Sequence, residues 1–193
     1  MACNGFVLWN ARSIVKKLPD INLFLHMYQP LAMCLTETWL TSSIQPTFPN
    51  YPLVRKDRPN GTGGGLIFLI HYSMTFAGVQ LIPFRGGLLE TLVIKVSSPV
   101  GQLHLFLCYD PCRDIPVQEL EHFAHQLGPL SLIIGDFNAH HDFWEPSIPR
   151  FARNKAGKAL YSFLMSSGDF SLLTPPGLLT RYDPYNARSS TLD

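Results

Sequence analysis

Apolar residues come in short runs along this chain, and each run ends abruptly in a polar group. FVLW (6–9) stops at Asn10, and LAMCL (31–35) stops at Thr36-Glu37. Between them Ile21, Phe24, Leu25 and Tyr28 recur at i, i+3, i+4 and i+7, one helical face, with Pro19 in the first turn and Pro30 as the stop. Residues 41–58 carry prolines at 46, 49 and 52 and read as irregular. LIFLI (66–70) is a buried strand entered through a glycine-rich turn. LLETLVIKV (88–96) is the longest strand pattern, with Glu90 read as a solvated strand carboxylate. A hairpin turn at 97–101 returns the chain through 103–108, which stops at Tyr109. A helix follows, with Val117, Leu120, Phe123, Ala124 and Leu127 as its stripe and Gly128 as its stop. Residues 156–166 give a second long helix with Gly168 past its end. Residues 170–173, 178–182 and 189–193 read as short strands.

The chain is organised around SLIIGDFNAHHDFW (131–144). A buried strand ends there and presents Asp136, Asn138, His140, His141 and Asp142 within seven positions. Asp136 and Asn138, two apart on an extended segment, face the same way. A carboxylate there can take a proton or hold a metal-bound water, and an amide can donate to a phosphoryl oxygen. An Asx-type turn closing a strand accounts for the same two residues without any chemistry.

Composition narrows the classes. The 193 residues are 46% apolar and 15% charged, with a formal net charge of +1. That predicts one globular domain and no strong overall field toward nucleic acid, so a DNA-facing surface is a local patch. Cys3, Cys34, Cys108 and Cys112 lack the paired spacing of a zinc site. Two of them lie inside apolar runs, which predicts reduced thiols and an intracellular, nuclear or cytoplasmic protein. No apolar run reaches membrane-spanning length, and no secretory signal is visible. The glycines at 61–65 precede a strand and carry no Gly-Lys-Ser/Thr, which excludes a phosphate-binding P-loop.

Four strand breaks therefore offer an amide (Asn10), a carboxylate (Glu37), a phenol (Tyr109) and a carboxylate (Asp136). If these strands share a sheet edge, the groups meet at one rim. A lone carboxylate such as Glu37 suits Mg²⁺, which keeps most of its waters and completes its shell with substrate phosphate. The residues alone point to a metal-assisted phosphoesterase and do not select DNA over another phosphate ester.

The motifs WNARS (9–13), LTETWL (35–40), GGGLIFLI (63–70), CYDP (108–111), GDFNAHHDFW (135–144), RNKAGKAL (153–160), LLTR (178–181) and SSTLD (189–193) stand in one order along nearly the whole chain. In that order the chain resembles the endonuclease/exonuclease/phosphatase superfamily, and within it the apurinic-type endonuclease domain of non-LTR retrotransposons. The resemblance implies an α/β, DNase I-like fold: a four-layer sandwich of two packed mixed β-sheets flanked by helices. It implies a Mg²⁺-dependent nick in one DNA strand (Mn²⁺ as the alternative ion) that primes reverse transcription. The implied partners are DNA and a parent polyprotein carrying a reverse transcriptase, with no membrane and no stable protein partner. By position, Glu37 and Asn10 stand at the metal. Tyr109 meets the scissile phosphate, Asp136 orients or deprotonates the attacking water, and Asn138 supports the transition state. Asp193 orients the family's catalytic histidine, while Arg12, His141, Thr180 and Ser190 lie on the DNA side.

The chain also departs from that family. The expected terminal Ser-Asp-His segment has no histidine here, because all seven histidines lie upstream of Asp193. Cys112 stands where the tyrosine motif often carries asparagine. The expectation is a domain incomplete at its C-terminus, weak or inactive in isolation. A phosphoesterase acting on small or lipid phosphate esters, and an inactive remnant of an element, are the alternatives.

Overall fold

The computed structural model describes residues 5–59, 63–111, 114–183 and 188–190. By its internal contacts the chain divides into two compact units. The first comprises Met1–Gln80, Glu90–Tyr109 and Leu127–Gly135. The second comprises Leu81–Leu89, Asp110–Gln126 and Asp136–Asp193.

The first unit holds two four-stranded sheets. One has the order β1 (Phe6–Asn10), β2 (Ala32–Thr36), β4 (Leu66–Ile70), β3 (Leu53–Lys56). β1 and β2 run parallel, and the other two pairings are antiparallel, so the sheet is mixed. The other has the order β5 (Phe76–Val79), β6 (Glu90–Ser98), β7 (Gly101–Tyr109), β8 (Ser131–Asp136). β6 and β7 form a tight hairpin across Pro99-Val100, closing at Ser98↔Gly101.

The continuous apolar runs are explained by burial on both faces. Cys34, Leu66, Phe68 and Ile70 point into the space between the sheets, against Ile94, Val96, Leu105 and Leu107. The alternate residues Met33, Leu35, Ile67 and Leu69 point the other way, onto Ile21 and Leu25 of helix α1 (Leu18–Tyr28). A strand with helix on one side and sheet on the other has no polar face to show, so its alternation disappears from the sequence. α1 stops where Gln29 turns left-handed (φ 47°) and donates its N–H to the Leu25 carbonyl oxygen, with Pro30 next.

In the second unit, α2 (Val117–Ala124) packs against α3 (Lys155–Ser167), and β9 (Arg181–Asp183) pairs antiparallel with β10 (Arg188–Ser190). Buried Phe123, Phe137, Trp144, Ile148 and Phe163 fill this unit. No helix among the described residues is long and apolar enough to cross a membrane.

Several sequence expectations are corrected. Residues 41–58 are not wholly irregular, because Leu53–Lys56 adds β3 to the open side of β4. The strand expected from residue 88 begins at Glu90. The N–H groups of Leu88 and Leu89 are taken instead by the fully buried Glu119 carboxylate at 2.9–3.0 Å. Residues 170–173 form no strand, and Leu173 is exposed. α2 ends at Ala124, before Leu127. β5 has no counterpart in the sequence reading.

Candidate functional site

One cluster of candidate residues belongs to the first unit. β1 and β2 pair in parallel register up to Asn10↔Thr36, so both strands end at the same edge. The pairing continues beyond them. Ala11 N–H donates to Thr36 O, Ser13 N–H to Glu37 O and Ile14 N–H to Thr38 O. On the other side Thr38 N–H and Trp39 N–H donate to Gly65 and Gly64 carbonyls. Glu37 is thereby clamped from both flanks in the left-handed region, φ 52°, a conformation glutamate rarely adopts. Arg12 (41°), Ser13 (74°) and Trp39 (55°) share that region. Each such residue costs about 1–2 kcal/mol, held in place by the surrounding ladder.

Glu37 Oε1 accepts two hydrogen bonds, from Asn10 Nδ2 at 2.9 Å and from the Tyr109 hydroxyl at 2.8 Å. Tyr109 closes β7 of the opposite sheet, so the two sheets of this unit meet at one carboxylate oxygen. The other oxygen, Oε2, accepts nothing from the described residues, and the side chain is half-buried. No group of three His, Cys, Asp or Glu residues suited to a metal occurs among the described residues. The donors here are all oxygens, from one carboxylate and one side-chain amide. That set fits a hard cation holding most of its own water, and it does not fit zinc.

Glu90 is not a solvated carboxylate. Its Oε2 accepts from Gly65 N–H at 2.7 Å, and its Oε1 is paired with the Arg58 guanidinium. Gly64 (φ 65°) and Gly65 (φ 89°) need their positive φ, and a Cβ on Gly64 would strike both Arg58 and Glu90. The glycine-rich turn is thus the mount on which the Glu37 segment hangs.

The second cluster belongs to the second unit. Asp136, 3% exposed, ends β8, and its Oδ1 accepts from Asn138 N–H at 3.0 Å. This is the Asx turn, present together with the candidate chemistry. Asn138, also left-handed (φ 46°), donates from Nδ2 to Asp110 O at 2.9 Å, which leaves its second amide N–H for another acceptor. Asp110 N–H donates to Asp136 O, tying the two segments together.

RNKAGKAL explains the rigidity of this loop. Asn154 caps α3, its Oδ1 accepting from Gly157 N–H at 2.8 Å and from His140 N–H at 3.0 Å. Its Nδ2 donates to Asn138 O at 2.6 Å. Gly157 is required because a Cβ would collide with the His140 carbonyl. His140 Nδ1 lies 3.1 Å from Glu145 Oε2, and Trp144 Nε1 donates to Ala139 O. The His141 ring stacks on Tyr161, centroids 4.4 Å apart, and its Nδ1 accepts from Phe143 N–H. Burial, reinforced by Arg153 and opposed by Asp142, holds His141 below its ordinary pKa.

Arg12 is exposed beside the first cluster, Thr180 is exposed in the second unit, and Ser190 ends β10. Asp193 and Cys112 lie outside the described residues. No spacing in the sequence announces Asp110 or Asn154, which act through backbone contacts, or Glu145, whose carboxylate meets the His140 ring. Trp39, 44% exposed beside Glu37, was visible as an aromatic in LTETWL.

A family model described as Endonuclease-reverse transcriptase matches residues 103–193. The chain is 26% identical over 187 residues to the probable RNA-directed DNA polymerase from transposon X-element of Drosophila melanogaster. That match takes in 95% of this chain and 20% of the relative. It is 27% identical over 184 residues to the corresponding protein from transposon BS of the same organism, 93% of this chain and 19% of the relative. The chain therefore spans about a fifth of the length of those proteins. Its fold matches the endonuclease domain of TRAS1, a telomere-specific non-LTR retrotransposon. The TM-score is 0.68 at 12% identity, over 97% of this chain and 81% of that one. The expected fold of two mixed β-sheets with helices, DNase I-like, is the one observed.

Proposed function

We propose that this chain is a Mg²⁺-dependent endonuclease domain that nicks one strand of target DNA to prime reverse transcription of a non-LTR retrotransposon. The observation that carries the reading is Glu37, held through one oxygen by Asn10 and Tyr109 with its other oxygen uncommitted. Glu37, with the Asn10 amide oxygen, would hold the ion. When bound, Mg²⁺ would neutralise phosphoryl charge and assist the leaving oxygen.

The protein's own groups supply the rest. Asn10 and Tyr109 fix the rotamer of Glu37 by donating to its Oε1. Asp136, its Oδ1 turned by the Asn138 N–H, accepts the proton of the attacking water or orients it. The remaining amide N–H of Asn138 donates to a phosphoryl oxygen as charge develops there. Arg12, Thr180 and Ser190 would contact the DNA backbone, and Asp193 would orient a histidine. His141, stacked on Tyr161, would shape the DNA-side loop. The parent protein would be a polyprotein with a reverse transcriptase, acting in the nucleus or cytoplasm where its DNA and RNA are found.

The test is nicking of supercoiled plasmid with and without Mg²⁺, comparing this chain, a form carrying the expected terminal histidine segment, and the Glu37→Ala and Asp136→Ala variants of each. Each substitution is expected to lower the rate by at least about a hundredfold. Metal-independent nicking, or nicking unaffected by both substitutions, would overturn the assignment. Release of phosphate from small esters without DNA nicking would favour the small-substrate reading.

A further inference from the structure

We propose that Phe151 is a wedge that enters a base step of the bound duplex, with Arg150 as its phosphate anchor. Phe151 is 89% exposed, the most exposed large apolar side chain among those described. Isolated exposed aromatics are common on protein surfaces, so exposure alone carries nothing. What distinguishes Phe151 is its mount.

Residues Arg150–Ala152 form a 3₁₀ turn entered through Pro149. Ala152 N–H donates to Pro149 O, and Arg153 N–H to Arg150 O. The far end is pinned twice. Arg153 pairs with Asp142 at 3.1 Å, and Asn154 binds both Asn138 O and His140 N–H. An apolar ring three residues from the clamp on Asn138 is thus held out on a braced turn. Arg150, next to it, is exposed and makes no ion pair among the described residues. Proteins that kink duplex DNA use this pairing, an apolar side chain between bases and a cation on the adjacent phosphate. The gain for a nicking enzyme is a locally unstacked, bent step near the scissile bond.

The inference rests on the endonuclease reading, and its test separates the two. Duplexes carrying 2-aminopurine at successive positions are titrated with the chain at several salt concentrations. Binding should brighten the probe at one step. Phe151→Ala should abolish the brightening and weaken binding by about five- to a hundredfold, leaving the salt slope unchanged. Phe151→Leu, still apolar, should restore part of both. Arg150→Ala should keep the brightening at saturation and lower the salt slope by about one. Salt-sensitive binding without brightening at any position overturns the wedge and leaves the endonuclease reading standing. So does equal brightening with Phe151→Ala. Absence of any DNA binding by the unsubstituted chain overturns both. A surface substitution at 89% exposure does not threaten folding.

Discussion

Asn154 holds Asn138 from below: its side-chain Nδ2 donates to the Asn138 carbonyl at 2.6 Å while its Oδ1 caps α3 and receives the His140 N–H. One side chain thus fixes a helix start and a left-handed candidate catalytic residue. Asn154→Ala removes all three bonds and is expected to cost about 2 kcal/mol in a urea unfolding curve. Asn154→Asp keeps the two acceptor bonds and loses the donor. It should recover most of the stability while nicking remains depressed. Equal recovery of both would show that Asn138 needs no such support.

Gly157→Ala gives a prediction with an unusual sign. Within a helix, alanine is favoured over glycine by about 1 kcal/mol. Here the added Cβ meets the His140 carbonyl, backbone that Asn154 already holds. The substitution should destabilise by about 1–3 kcal/mol. A raised thermal midpoint would show that this loop is free to move.

Tyr109→Phe removes one of the two donors to Glu37 Oε1. Binding of Mn²⁺, followed by its electron paramagnetic resonance signal, should weaken by about 10–100-fold. Glu37→Gln should abolish it. Unchanged affinity in both variants would remove Glu37 from the metal.

His141 makes stability depend on pH in a defined direction. Burial lowers its folded pKa below the ordinary 6.5, so the unfolded chain takes up the proton more readily. Its contribution is full above that value and is lost as pH falls through it toward the lower folded one. His104, also lowered by burial and by Lys95, acts in the same direction. His141→Phe keeps an aromatic against Tyr161 and should flatten, without abolishing, the fall in unfolding free energy below about pH 6.5. An unaltered pH profile would show that His141 protonates freely in the folded protein.

Cys34 is fully buried in the space between the sheets, and burial pushes its thiol up to about 12. Peptide mapping after iodoacetamide treatment should find Cys34 unmodified in the folded chain and modified in urea. Labelling under native conditions would mean that the two sheets part readily.

The sequence by itself determined the strand-and-break order and most of its elements. Runs of four or five apolar residues too short for helices announced β1, β2, β4 and β7. The 3.6-residue stripes announced α1 and α3, and Gly168 marked the end of α3. Those signals are local, because they depend on which faces of one element meet water. The break residues Asn10, Glu37, Tyr109, Asp136 and Asn138 were legible for the same reason.

Only the tertiary structure decided how those residues are used. β3 and β5 were invisible because a short edge strand needs a neighbour's unpaired ladder more than its own pattern. Glu90 reads as a solvated strand carboxylate, yet it binds the Gly65 N–H 25 residues away, and buried Glu119 likewise binds backbone N–H groups about 30 residues away. The left-handed backbone at Glu37 has no signature in residue type. It follows from hydrogen bonds that the ends of other segments impose, and those partners are set by long-range packing alone.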